Sequence, residues 1–300
     1  MQSRKSGINI ALIPVAGKGT RLAPISSIIP KGMLPLVGPS NDIFSVLHVI
    51  VKQVLQAGVE RIGVIVSPGQ QDMFRQYFAA VDDHEGENFS AIIEYIIQPT
   101  PNGFGDAIFR GADFVGKESF ILLLGDHIQI PDSGSRGCTE QVIEAFAAQD
   151  CAAMIGVQTV NARDLSKVGV CRGAREAENI YRCTHFIEKP CLSSALDCLV
   201  TEGLQAETFL AHCGIYAFSS EIFKCLKDIK TQQEDKEIEL ADAQSLLLET
   251  YPEKYFLCKI RGRAYDVGTP AGYAEAQGAF RNASKSHTPG SYVNADQTYI

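Results

Sequence analysis

Runs of apolar, β-branched residues separated by segments of helical spacing set the rhythm of the first half of this chain. The runs fall at 8–15, 62–66, 91–97, 119–124 and 153–159. Short continuous apolar runs bounded by turn residues predict strands buried on both faces. Between them, 43–57, 70–80, 103–115 and 138–149 carry apolar positions three and four apart, which predicts helices. Strand–helix alternation implies βαβ units, so the fold class is α/β, Rossmann-like, with a mixed but mainly parallel sheet flanked by helices. In such sheets ligands gather beyond the carboxyl ends of the strands. That rule puts the loop at Gly17, the turn Pro99–Gly103 and the strand end Gly125–Asp126 on one rim.

From about residue 160 the pattern shortens. Strands are predicted at 168–172, 180–187, 209–218 and 255–260, with helices near 219–228, 238–249 and 270–283. No linker-like stretch divides the chain. Residues 1–283 therefore read as a single domain, with a first part to about 160 and a second over 161–283. The polar segment Ser284–Ile300 reads as a C-terminal tail or partner-contacting arm.

Composition narrows the function. Three hundred residues with 45% hydrophobic and 21% charged content suit a globular protein with a substantial core. A net charge of −8 argues against a nucleic-acid binder, so an anionic ligand would need a local cluster of Lys and Arg. No apolar run reaches the length of a membrane span, and the first residues carry no secretory signal. The nine cysteines are odd in number and lack C-x-x-C spacing, which fits free thiols in a reducing cytoplasm.

The chemistry concentrates after the first predicted strand. Pro14-Val-Ala-Gly17-Lys-Gly19-Thr-Arg21 is a small, glycine-rich turn, and Pro30-Lys31-Gly-Met-Leu-Pro35 follows it closely. Such a turn lets backbone N–H groups approach a ligand, and Arg21 with Lys31 adds two positive charges, a combination suited to a polyphosphate. It is not a P-loop: that motif needs Gly where Leu12 stands and Ser or Thr where Gly19 stands. Nor is it a dinucleotide fingerprint, because Leu22 occupies the third glycine's place. Asp126 ends the run Phe120–Gly125, and Asp266 stands in Tyr265-Asp-Val-Gly268. Each aspartate is either a helix cap or turn residue, or one of two carboxylates that share Mg²⁺ with phosphate oxygens. Glu188-Lys189-Pro190 is either a solvated strand end or a sugar-and-phosphate contact. Gln98, ahead of Gly103-x-Gly105, either belongs to a capped helix start or reads a nucleobase edge. The six histidines lack metal-like spacing, with His127 alone near these motifs, and no G-x-S-x-G elbow points to a hydrolase.

Taken in order, these segments resemble the sugar-1-phosphate nucleotidylyltransferases, nearest the bacterial UTP–glucose-1-phosphate uridylyltransferase branch. The matches are the Val15–Arg21 loop, Ile29–Leu36, Gln98 with Gly103 and Gly105, Gly125-Asp126, Val168–Val170, Ile187–Pro190, Gly214–Tyr216, Lys236–Asp242 and Tyr265–Gly268. The resemblance implies a nucleotide-diphospho-sugar transferase type of fold and residue roles to match. Ala16, Gly17, Gln98 and Gly103 would hold the pyrimidine nucleoside, and Arg21 and Lys31 the triphosphate. Gly169, Glu188 and Gly214 would meet the sugar, Lys189 the sugar phosphate, and Asp126 with Asp266 would bind Mg²⁺. The implied substrates are UTP, or dTTP, with glucose 1-phosphate or a related hexose 1-phosphate, releasing pyrophosphate in a cytoplasmic homo-oligomer. Two rivals are a thymidylyltransferase making dTDP-sugars and a non-catalytic nucleotide-sugar sensor. Three positions depart from the pattern: Gly32 where Glu is usual, His127 after the first metal aspartate, and Ala241 where Thr is usual.

Overall fold

A computed structural model describes residues 7–232 and 236–283; the segment 284–300, expected to be a tail, lies outside the described residues. The strands are β1 (Ile10–Pro14), β2 (Pro35–Val37), β3 (Ile43–Ser45), β4 (Arg61–Val66), β5 (Ile93–Ile97), β6 (Phe120–Leu123), β7 (His127–Pro131), β8 (Ala153–Asn161), β9 (Gly169–Ala177), β10 (Ile180–Glu188), β11 (Thr208–Phe218), β12 (Tyr255–Lys259) and β13 (Gly262–Asp266). The helices are α1 (Val46–Gln56), α2 (Gln71–Glu85), α3 (Phe89–Ile92), α4 (Phe104–Arg110), α5 (Ala112–Val115), α6 (Cys138–Ala147), α7 (Leu192–Cys198), α8 (Glu221–Gln232), α9 (Leu240–Thr250) and α10 (Pro270–Ala283).

Nine strands form one sheet in the order β5-β4-β1-β6-β11-β8-β12-β10-β9. The first four are parallel, joined by crossovers that carry helices, as the repeating strand–helix signal requires. Beyond β6 the sheet is antiparallel except for the parallel pair β8 and β12, so the parallel character is concentrated in the first half. The reason is local: β9 and β10 are separated by only two residues, a hairpin connection that can join only antiparallel neighbours.

The strands β1, β4 and β6 are covered on both faces, which is why they are apolar rather than alternating, whereas β9 and β10, at one end of the sheet, keep Arg172, Arg175, Thr184 and His185 exposed. Ala11, Ile13, Val64, Ile121 and Leu123 face the core that includes residues of α1, α2 and α6. Ile10, Leu12, Ile65, Phe120 and Leu122 face the opposite core, beside residues of α4, α8 and α9. Each fully buried Leu, Ile or Phe contributes about 1.5–3 kcal/mol relative to exposure. A small third cluster, Leu165, Val170, Ala195, Leu199, Phe209 and Ala211, seats α7. The predicted helix over 43–57 begins later than its apolar spacing suggests. Ile43–Ser45 pairs with Pro35–Val37 as a two-stranded sheet, and Ser45 then caps α1, its hydroxyl accepting from His48 N at 3.1 Å.

Three features position the site. The parallel strands β1, β4, β5 and β6 end together, so the segments that follow β1, β5 and β6 gather at one edge. The antiparallel pairing of β9 with β10 sets Glu188 opposite Gly169. Finally, β7 and β13 form a separate two-stranded sheet whose register pairs His127 with Asp266, and Val267 N donates to Asp126 O at 2.9 Å. This last pairing draws together two aspartates that are 140 positions apart in the chain.

Candidate active site

A cleft of about 820 Å³ opens over the ends of the parallel strands. Ala16, Gly17, Arg21, Lys31, Gln98 and Gly103 line one part of it, and Glu188, Lys189, His212 and Tyr216 line another, with Asp126 and His127 among its walls. Gly17 has nothing within 4 Å of the place a Cβ would occupy, so its loop keeps open space for a ligand. Gly19 takes a left-handed conformation (φ +64°) that packs it against the aliphatic stem of Lys31, 3.1 Å from a would-be Cβ. The turn thereby orients the lysine as well as freeing backbone.

The charges converge as the sequence suggests. Lys31 Nζ lies 2.8 Å from Asp126 Oδ2, and an Arg21 guanidinium nitrogen lies 3.3 Å from Asp266 Oδ2. The opposite oxygen of Asp126 meets His127 Nδ1 at 2.9 Å, and Asp266 Oδ1 accepts from Gly268 N at 2.7 Å. One oxygen or nitrogen each from Asp126, His127 and Asp266 lies within 4.8 Å of the others. Two carboxylates and an imidazole at that spacing are a donor set that fits a divalent cation. Burial alone would raise the Asp126 carboxyl, but His127 and Lys31 outweigh it and hold it well below the usual carboxylate range. His127 moves up from its ordinary value, because its bond to Asp126 overcomes the cost of burial.

Lys189 sits at the opposite lip. Its backbone is left-handed (φ +48°), an unusual conformation for a lysine, and its N–H is tied to Val168 O at 3.1 Å. Its Nζ lies 3.4 Å from Glu188 Oε1, with both side chains substantially exposed to the cleft. Gln98 is buried beside Gly103.

Two predicted sugar contacts do not line the cleft. Gly169 lies behind Glu188 and His212: a Cβ there would meet Glu188 Oε2 at 2.8 Å and His212 Nδ1 at 2.9 Å. Gly214 lies behind His127, whose ring packs 3.2 Å from its would-be Cβ. Both glycines leave room for a side chain that does face the cleft. Gly32 likewise fills a tight apolar pocket of Val15, Leu47 and Phe74, which has no space for a longer side chain without rearrangement.

His212 is the residue that sequence reasoning passes over. It stacks on Phe186 (centroids 4.9 Å, interplanar angle 11°) and lies 3.3 Å from Cys171 Sγ. Burial pushes its imidazole down to about 3, so it lines the cleft as a neutral ring. Its signal in the sequence is only a histidine inside an apolar strand. Glu237, Glu239 and Asp242 also reach the cleft, from the stretch leading into α9 that forms part of the resemblance.

The profile of the family described as Nucleotidyl transferase matches residues 10–282. The chain belongs to this family. Among curated relatives it is 28% identical over 287 residues to UTP–glucose-1-phosphate uridylyltransferase 2 of Streptococcus pyogenes, covering 88% of this chain and 87% of the relative. Its structure is similar to that of a UDP-glucose pyrophosphorylase complexed with UDP-glucose, at TM-score 0.75 and 26% identity, covering 91% of this chain and 98% of the other. A Bacillus anthracis structure assigned as a glucose-1-phosphate thymidylyltransferase shares the fold at TM-score 0.70 and 22% identity, covering 91% and 96% of the two chains. The nucleotide-diphospho-sugar transferase type of fold is thus the one this nucleotidyl transferase adopts. Among the described residues, no helix is long and apolar enough to cross a membrane.

Proposed function

We propose that this nucleotidyl transferase condenses UTP with glucose 1-phosphate to UDP-glucose and pyrophosphate. The observation that carries the reading is the meeting of Asp126, Asp266, Lys31 and Arg21 beside the open loop at Gly17. Each acid is paired with one of the two cations, so the four charges balance one another. A polyphosphate would take over the cations and a metal ion the acids. That exchange suits a site built to accept a nucleotide and a cation together.

In the proposed reaction an oxygen of the sugar phosphate forms a bond to the α-phosphorus while the bond to the β-phosphate oxygen breaks in line, so pyrophosphate leaves with that electron pair. No general base is required, because a phosphate monoester with second pKa of about 6 is mostly dianionic at neutral pH. The obstacle is repulsion between two polyanions, and the protein's part is positioning and charge. Lys189 orients the sugar phosphate. Arg21 and Lys31 stabilise the leaving pyrophosphate. Glu188 accepts from sugar hydroxyls. Mg²⁺, held by Asp126 and Asp266 with His127 alongside, would supply further neutralisation between the phosphates when bound.

The test is a substrate panel: purified protein with Mg²⁺, the four ribonucleoside triphosphates and dTTP, each with several hexose 1-phosphates, products read by mass. UDP-glucose with one equivalent of pyrophosphate is the expected outcome. A dTDP-sugar as main product would move the assignment to thymidylyl transfer. No nucleotide sugar from any pair would overturn the reading.

A further inference from the structure

Gln98 is held by an unusual partner. Its amide nitrogen donates to Gly103 O at 3.1 Å and to Asp106 Oδ2 at 3.0 Å. Asp106, in the first turn of α4, is fully buried, and its carboxylate is paired with Arg110 at 3.0 Å and with Lys230 at 3.8 Å. A carbonyl and a carboxylate only accept hydrogen bonds. Turning the Gln98 amide over would set its oxygen against two acceptors in a buried place, at the cost of unmade hydrogen bonds. The orientation of Gln98 is therefore fixed from behind. Both amide protons are spent inside the protein, and Oε1 is left as its polar atom for a ligand in the cleft.

We infer that Asp106 is a positioning residue for base selection: by anchoring the Gln98 NH₂ group, it makes Gln98 a dedicated acceptor for an imide N–H. Uracil and thymine carry that N–H at N3. Cytosine has a lone pair at the same place, so it would face the Gln98 oxygen with no proton between them. This inference rests on the uridylyl reading above and deepens it. Arg110 and Lys230 act one step further back, offsetting the charge of a fully buried carboxylate.

The experiment compares kcat/KM for UTP and CTP, with glucose 1-phosphate, in the wild type and in Asp106→Asn. An asparagine of the same shape can turn its own NH₂ toward Gln98, which removes one of the two acceptors that fix the amide and leaves Gly103 O alone to oppose its reversal. The UTP:CTP ratio is expected to fall at least about tenfold, mainly through a higher KM for UTP, with kcat changed far less. Lys230→Gln, which keeps the Asp106–Gln98 bond, is expected to retain the wild-type ratio. Should Asp106→Asn not fold by circular dichroism, Asp106→Ser carries the same expectation. An unchanged ratio in the folded variant, beside a wild type that prefers UTP, overturns the positioning role and leaves the uridylyl reading standing. A wild type that uses CTP as well as UTP overturns base selection through Gln98, whereas a wild type that forms no UDP-glucose overturns the uridylyl reading beneath it.

Discussion

Asp126 and Asp266 are held side by side with almost no slack. A Cβ on Gly268 would lie 2.7 Å from Asp126 Oδ2, 2.8 Å from Asp266 Oδ1 and 2.8 Å from Lys31 Nζ, among the three charged groups at once. Gly268→Ala should therefore spread the two carboxylates while leaving the fold intact. A displacement of reacting groups by about 1 Å can cost on the order of a hundredfold in rate. We expect kcat to fall tenfold or more with an unaltered circular dichroism spectrum; wild-type turnover would show that the carboxylates need not be close. At this scale much of the site is legible in the sequence, because Arg21, Lys31, Asp126, Lys189 and Asp266 each stand at the end of a recognisable apolar run or turn. His212 and Asp106 are not legible. The first is one histidine within a strand, and the second takes its meaning from Gln98, eight positions earlier and across a proline turn.

Among elements, the long strands and helices emerge where apolar spacing places them, since burial on both faces leaves a strong local pattern. The short pair β7 and β13 does not. Five residues each, with partners more than 120 positions apart, they owe their structure to one another rather than to local pattern. Yet this pair carries Asp266 to Asp126, so sequence can name the two acids without showing what joins them. The start of α4 is equally dependent on distant chain: Gly103 has φ +99°, and a Cβ there would lie 2.4 Å from Ile238 O, in the stretch before α9. Gly103→Ala should cost about 1–3 kcal/mol through backbone strain and this clash. The melting temperature is expected to drop by several degrees. A melting temperature within about 1 °C of wild type would show that the segment before α9 yields freely.

Over the whole molecule, two buried histidines make stability depend on acidity. Burial with the nearby Lys52 pushes His48 down to about 4, against the opposing pull of Glu85, and burial pushes His212 down to about 3. Both are neutral in the folded chain at pH values where an unfolded histidine, with pKa about 6.5, takes up a proton. Their stabilisation is therefore fully present above about pH 6.5 and is lost as pH falls toward the folded values. At pH 5 each contributes a loss of about 2 kcal/mol. His127, shifted upward, works in the opposite sense, so the informative comparison is between chains: urea unfolding of His212→Asn should fall less steeply between pH 7 and 5 than that of the wild type. Equal slopes would mean that His212 is protonated without penalty. The account as a whole turns on Asp126 and Asp266 serving one shared cation. The direct test is kcat/KM for UDP-glucose formation in Asp126→Asn, Asp266→Asn and the double variant. If the pair acts as a unit, each single change lowers the rate by about a hundredfold or more, and the double variant is no worse than the poorer single one. Losses that multiply in the double variant, or near-normal turnover in either single one, would contradict a shared cation.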